Sequence, residues 1–287
     1  MHRRQFSTVL FASFAATSLA RAASAPDFSS QLTQIERASG GRLGVAVLDT
    51  GSGRRAGHRE DERFPMCSTF KLLACAHVLA RVDRGEERLD RRVVFGAQAL
   101  VVNSPVTRQH AGGEGMTMAQ LCEAAITQSD NTAGNLLLAS FGGPKAFTAY
   151  ARSLGDTLTR LDRTETALNE ALPGDPRDTT TPHAMLGNLH KLLLGPALSP
   201  ASRAQLLRWL EANKTGDERI RARLPADWKV GDKTGAGERG STNDIGILQP
   251  PRRAPILVTI YLTQTSAPAA ARNAALASVG AAVAAWA

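Results

Sequence analysis

The sequence predicts an α/β unit assembled from the two ends of the chain, with an all-helical unit inserted between them. Three observations predict it. Strand patterns occur early, at Gly44 to Leu48, and again late, between Trp228 and Thr263. Between them, from Ser68 to Leu210, the pattern is helical. The chain then closes on an Ala-rich helical segment from about Pro268 to Trp286. Strands in two remote stretches with helices between them place both chain ends in one α/β layer. The expected division is a leader at 1–22, a discontinuous α/β unit at 23–60 and 220–287, and a helical insertion at 61–219.

The elements follow in order. Asp27 to Ser39 reads as a helix with Asp27 as N-cap and Leu32 and Ile35 on one face. Gly44 to Leu48 is a short apolar strand. Asp49-Thr50-Gly51-Ser52-Gly53 is turn chemistry, with Arg54 to Arg59 as hairpin partner. Helices are expected at Phe70 to Val82, Met118 to Thr127 and Thr132 to Ser140. Two more, Pro144 to Leu154 and Pro182 to Leu194, carry Pro at a helix start, where its missing N–H costs nothing. Trp228 to Gly231, Asp244 to Gln249 and Ile256 to Thr263 read as strands. No repeat or low-complexity linker interrupts the pattern.

Residues Met1 to Ala22 stand apart. Arg3 and Arg4 precede a mild apolar run from Phe6 to Ala20, and Ala20-Arg21-Ala22 offers a small-residue cleavage site. This is the pattern of a secretory signal, too short and too weakly apolar for a membrane anchor. Arg3-Arg4-Gln5-Phe6 resembles a twin-arginine export signal, which implies a periplasmic protein. A second cut after Ala23-Ser24-Ala25 is disfavoured because Pro26 follows it.

The chain has 34 Lys and Arg against 26 Asp and Glu, a net charge of +8. Arg3, Arg4 and Arg21 leave with the leader, so the remaining 31 against 26 give +5. The excess is scattered and lacks interleaved aromatics, which argues against a nucleic-acid partner. The six histidines show no H-x-H or H-E-x-x-H spacing, so no metal or other cofactor is expected. Three cysteines fit one disulfide and one thiol. Cys75 and Cys122, each in an apolar helical stretch beside a motif, are the expected pair, and closing that loop would stabilise by roughly 3–4 kcal/mol. A chain folded in a reducing cytoplasm before export would form such a bond late. Cys67 reads as a small buried hydrophobe.

Three motifs carry chemistry: Ser68-Thr69-Phe70-Lys71, Ser129-Asp130-Asn131 and Lys233-Thr234-Gly235. On a helix, Ser68 and Lys71 share one face. A serine hydroxyl is a weak nucleophile that needs an adjacent base, and a desolvated lysine one turn away supplies one. S-x-x-K alone occurs by chance, and its serine alone would more often be an N-cap. The three motifs in this order and spacing are specific. A fourth stretch, Glu165-Thr166-Ala167-Leu168-Asn169, puts a carboxylate and an amide four residues apart, facing one point if helical.

With these residues the chain resembles the class A serine β-lactamases over nearly its whole mature length. Gly231 to Gly240 and Glu123 to Ala133 are particularly similar to that family. The resemblance implies a two-domain β-lactamase/transpeptidase-like fold, with an antiparallel sheet flanked by terminal helices and an inserted helical domain. It implies hydrolysis of penicillins and cephalosporins through an acyl-enzyme on Ser68, with no cofactor, by a monomer without a membrane anchor. In that reading Lys71 and Glu165 are the contending acylation bases. Glu165 and Asn169 hold the deacylating water. Ser129 passes a proton to the leaving nitrogen, and Lys233 assists. Lys233 also attracts the substrate carboxylate, which Thr234 hydrogen-bonds; Gly235 is a further substrate-binding position on the same strand, and the Ser68 and Ala236 amides form the oxyanion site. Asn131 binds the acylamide side chain, whereas Asp130 caps nearby backbone. Arg163 and Asp178 close the loop that carries Glu165.

Three positions depart from the family pattern. Thr166 follows Glu165 where proline is common. Asn103 stands where an aromatic wall is expected. Thr242 replaces a carboxylate-binding arginine, and Arg219 is the expected substitute guanidinium. Two rivals share the motifs: a D-Ala-D-Ala peptidase of the penicillin-binding type, and a sensor that acylates and stalls. Glu165 and Asn169 argue against the peptidase, as does the lack of a membrane anchor, and the sensor would need a signalling domain or transmembrane helix for which no room is expected.

Overall fold

The computed structural model describes residues 27–287, so the leader reading lies outside the described residues. The chain starts with helix α1 (Phe28–Ser39), capped by Asp27, whose Oδ1 accepts the Ser30 N–H at 2.9 Å. Strands β1 (Arg42–Asp49) and β2 (Arg55–His58) form the first hairpin. Asp49 ties its turn by accepting from Gly51 N and Ser52 Oγ. Then come β3 (Phe64–Pro65), α2 (Phe70–Asp83), β4 (Arg92–Val93) and β5 (Met116–Thr117). Helices α3 (Met118–Thr127), α4 (Asn131–Ser140) and α5 (Gly143–Ser153) follow. After β6 (Thr179–Thr180) come α6 (Pro182–Leu193) and α7 (Pro200–Glu211). The chain ends with β7 (Lys229–Ala236), β8 (Thr242–Gln249), β9 (Ile256–Thr263) and α8 (Ala269–Trp286).

The strands from both chain ends form one antiparallel five-stranded sheet in the order β2-β1-β9-β8-β7. Its two faces bury alternate residues, as the two-residue period of a strand requires. Val45 and Val47 of β1 and Val258 and Ile260 of β9 pack with Leu32 of α1 and with Leu276 and Val279 of α8. Ala46, Leu48, Leu257 and Tyr261 face the other way and join the core of the helical block. β9 is therefore covered on both sides, which explains why it is buried along its whole length.

Helix α2 is the axis of the helical block. It buries residues from Phe70 through Ala76 and again from Val78 to Ala80. A helix that is apolar nearly all round is a central one. Its first turn carries Lys71, so the lysine enters the interior with the helix.

Four features differ from expectation. β7 carries Lys233-Thr234-Gly235 on a strand as expected, but as one strand from Lys229 to Ala236 that continues past the Gly231 bound, because Asp232, Lys233 and Thr234 hide a strand buried on both faces. The helical block also holds two short ladders, β3 with β6 and β4 with β5. Helix α7 is a separate element, started by the Ser199 cap and Pro200. Finally, the expected disulfide is corrected: Cys67, Cys75 and Cys122 are all buried free thiols. Cys75 and Cys122 do meet, but Cys75 Sγ lies 3.7 Å from the Cys122 carbonyl oxygen, in a weak S–H hydrogen bond. Burial pushes the Cys122 thiol up, which keeps it in the unreactive protonated form.

Candidate active site

Four segments converge at the junction of the sheet and the helical block. The turn Cys67–Thr69 leads straight into α2 and presents Ser68. Ser129 and Asn131 flank the start of α4, and β7 supplies Lys233 to Ala236. The segment between α5 and β6 brings in Glu165 and Asn169. Cys67 and Ser129 hold φ of 45° and 54°, a region side chains other than glycine rarely adopt. Such strain persists where surrounding structure over-determines it, and it collects at functional sites.

Ser68 Oγ is the centre. Lys71 Nζ donates to it at 2.8 Å, and it lies 3.1 Å from Glu165 Oε1. Lys71 Nζ and Glu165 Oε1 are 3.0 Å apart, and both side chains are fully buried. Lys71 also donates to Asn131 Oδ1 at 2.7 Å and to the Ser129 carbonyl at 2.8 Å. Asn169 Nδ2 donates to the second carboxylate oxygen, Glu165 Oε2, at 2.6 Å. Burial lowers the Lys71 pKa, opposed by the charge of Glu165, so its free-base form is more accessible than in an exposed lysine.

A second lysine organises the opposite wall. Lys233 Nζ donates to Ser129 Oγ at 3.0 Å and to the Thr234 carbonyl at 2.8 Å. Burial, then the positive charge of Lys71, hold the Lys233 pKa well below its ordinary value. The hydroxyls of Thr234 and Thr215 are hydrogen-bonded to each other.

Asp130 is structural, as expected. It accepts from Val106 N, Thr107 N and Ala133 N, each at 2.9 Å, and from Thr107 Oγ1. Arg163 Nε pairs with Asp178 Oδ2 at 2.6 Å, and Asp178 Oδ1 also accepts from the backbone of Asp162 and Arg163. The Glu165–Thr166 peptide is cis without a proline. Gly237 lies against the nucleophile turn: a Cβ there would come within 2.6 Å of Cys67 Sγ. Asn103, in place of the aromatic wall, adopts φ of 59° and accepts the Asn131 N–H through its carbonyl at 3.0 Å.

Ser68, Ser129, Asn131, Asn169, Arg219, Thr234, Gly235 and Ala236 line one open cleft of about 870 Å³. Lys71, Glu165 and Lys233 stand behind that surface, bonded to residues that line it. Every site residue singled out in the sequence is thus brought to this place. Arg219 Nη1 donates to the carbonyls of Gly235 and Asn243 at 2.9 and 2.7 Å, and Nε donates to Asn273.

Sequence reasoning missed several residues here. Asn135 clamps the Glu165 backbone, donating to its carbonyl and accepting its N–H, both at 2.9 Å. It lies one helical turn beyond Asn131, the signal that could have found it. Arg272 on α8 donates to Thr242 Oγ1 at 2.9 Å, so a guanidinium backs the position where the family arginine is missing. Nothing local in the sequence ties α8 to that strand.

Comparison with known proteins decides the family. Residues 27–287 match the model of the β-lactamase enzyme family. The chain belongs to that family. It is 49% identical to β-lactamase OXY-1 of Klebsiella oxytoca over 256 residues, 89% of this chain and 88% of that protein. A reconstructed ancestral class A β-lactamase superposes with a TM-score of 0.88 at 65% identity, covering 90% of this chain and 98% of the other. A putative class A β-lactamase, PenP of Rhodopseudomonas palustris, gives a TM-score of 0.88 at 62% identity, over 90% and 98% of the two chains. This β-lactamase is therefore a class A serine enzyme of antibiotic resistance with the two-domain fold of its relatives. None of its described helices is long and apolar enough to cross a membrane.

Proposed function

We propose that this enzyme hydrolyses penicillins and cephalosporins by acylating and then freeing Ser68. The single observation carrying the reading is Glu165, whose Oε1 lies 3.1 Å from Ser68 Oγ while Oε2 is held by Asn169. A carboxylate so held beside the acylated oxygen is a general base for water.

Acylation begins when Ser68 Oγ attacks the β-lactam carbonyl and loses its proton. Two acceptors are in reach, Lys71 Nζ at 2.8 Å and Glu165 Oε1 at 3.1 Å. The developing oxyanion takes hydrogen bonds from the Ser68 and Ala236 amides, each such donor being worth about 3–4 kcal/mol of barrier. The C–N bond breaks, and Ser129 Oγ, bonded to Lys233, passes a proton to the leaving nitrogen. In deacylation Glu165 takes a proton from water, the hydroxide adds to the ester, and Ser68 leaves with a proton returned to Oγ. Asn131 receives the acylamide side chain, while Thr234, Gly235 and Arg219 receive the substrate carboxylate.

The same reading takes residues 23–60 with 220–287 as one unit and 61–219 as the other. It takes the protein as a periplasmic monomer exported by the twin-arginine route. The test of the chemistry is turnover of a chromogenic cephalosporin by the mature protein and by Glu165→Ala. Many turnovers by the parent and a stalled stoichiometric adduct on the variant are expected. A single burst from the parent would favour the penicillin-binding or sensor reading.

A further inference from the structure

We infer that this enzyme carries a second binding site, for a small organic carboxylate, behind the segment that holds Glu165 and Asn169. The site is a cavity of about 430 Å³ between that segment, β3 and the end of β9. Pockets for small ligands start at about 300 Å³ and combine apolar walls with a few polar groups. Here Pro65, Leu168, Leu172 and Pro176 give apolar wall, and Arg42, Arg63, Arg163 and Arg177 bring guanidinium groups to it.

The charges do not cancel evenly. Arg42 is paired with Glu62, Arg163 with Asp178 and Glu170, and Arg177 with Asp175. Arg63 differs. Among the described residues it forms no ion pair, and its hydrogen bonds run through Nη1 to two neutral acceptors, the Leu158 carbonyl at 2.8 Å and Thr179 Oγ1 at 3.1 Å. Those two bonds fix the guanidinium without neutralising it. A fixed, unpaired guanidinium with donors to spare beside apolar wall matches a carboxylate on an apolar body, because a carboxylate accepts the guanidinium fork.

The cavity shares a wall with the catalytic cleft. Arg163 lines both spaces. The single turn Ala167–Asn169 turns Leu168 to the rear cavity, while Ala167 and Asn169 line the cleft. A ligand against Leu168 therefore bears on the turn that positions Asn169, and its occupancy changes deacylation. This last consequence rests on the roles proposed for Glu165 and Asn169. The binding itself does not.

The test is a titration of the isotope-labelled mature protein with benzoate, followed through backbone amides. Saturable shifts are expected at Leu168, Leu172 and Gly174, and none with benzyl alcohol, which has the ring without the charge. Amides of Gly235 and Ala236 report separately any benzoate in the catalytic cleft. Leu172→Glu, at an exposed apolar position whose side chain has no polar group to lose, should weaken rear-site binding at least tenfold and leave the fold intact. In stopped-flow kinetics, deacylation should shift at least threefold at saturating benzoate. Shifts that never saturate, that appear equally with benzyl alcohol, or that survive Leu172→Glu would overturn the site. Saturable binding with unaltered deacylation would overturn the coupling, and because the shifts are read without substrate, failure of the catalytic roles remains distinguishable.

Discussion

Asn169 grips one oxygen of Glu165 at 2.6 Å and leaves the other facing Ser68 and Lys71. The two residues are four apart, and the turn between them sets the carboxylate's orientation. Asn135 fixes the same residue by its backbone on the other side. Glu165 is thus held by both side chain and backbone before any substrate arrives, the kind of preorganisation that catalysis by proton transfer needs.

The first prediction concerns this grip. Asn169→Ala removes a hydrogen bond to a charged group, worth about 1.5–3 kcal/mol. The steady-state rate should fall by roughly 10–150-fold. The acylation burst should persist, since Lys71 still contacts Ser68 Oγ. Pre-steady-state kinetics with a chromogenic cephalosporin separate the phases. A burst slowed as much as turnover would sink the assignment.

Much of this site was legible in the sequence because its chemistry is local. Ser68 and Lys71 sit on one helical turn, and Ser129 with Asn131 on another start. What was not legible depends on long-range contact. Asn135 reads as one polar residue on a helix until the Glu165 segment folds over it. Arg272 becomes relevant only once α8 packs beside β8. The β7 boundary is hidden because Lys233 and Asp232, both fully buried, look like loop residues by composition. Tertiary partners override the polar pattern there. The cysteines illustrate the reverse error: the pattern places Cys75 near Cys122, but sequence cannot say which atom a sulfur faces.

A second prediction addresses the loop closure. Asp178 is buried, and Arg163 Nε meets it at 2.6 Å. Arg163→Ala leaves that carboxylate with backbone donors but without its ion-pair partner. Breaking such a pair costs about 3 kcal/mol or more. The melting temperature should drop by roughly 6–12 °C for a domain pair of this size. Thermal unfolding at neutral pH checks this, and a shift under about 2 °C would mean that the pair holds nothing.

Arg219 gives the third. Its guanidinium is fixed by Gly235, Asn243 and Asn273 and lines the cleft. Burial lowers its pKa, yet an arginine remains charged at any working pH. Arg219→Ala should raise KM for benzylpenicillin about 10–100-fold, the value of a hydrogen-bonded charge, with a smaller effect on kcat. Arg219→Lys should recover part of the loss. Unchanged KM in the alanine variant would transfer the carboxylate to other residues, Arg272 first.

The last prediction follows from a buried acid that the chemistry does not use. Asp244 on β8 is fully buried, with Oδ2 accepting from Ile220 N at 3.2 Å and Oδ1 without a partner among the described residues. Burial, then the negative charge of Asp232, push its carboxyl well above the usual range. A protonated Asp244 can donate toward Asp232, which gives the orphaned oxygen a role. The sign is fixed by linkage. The folded pKa is raised, so the stabilisation is fully present below the unfolded value near 4 and is lost as pH rises through the folded value. Asparagine cannot ionise, so Asp244→Asn escapes that loss. Urea unfolding from pH 5 to 10 should show the parent falling relative to the variant as pH rises, with the gap closing toward acid pH. Parallel curves over the whole range would mean that Asp244 does not change its proton on unfolding, and that the unpartnered oxygen is tolerated for another reason.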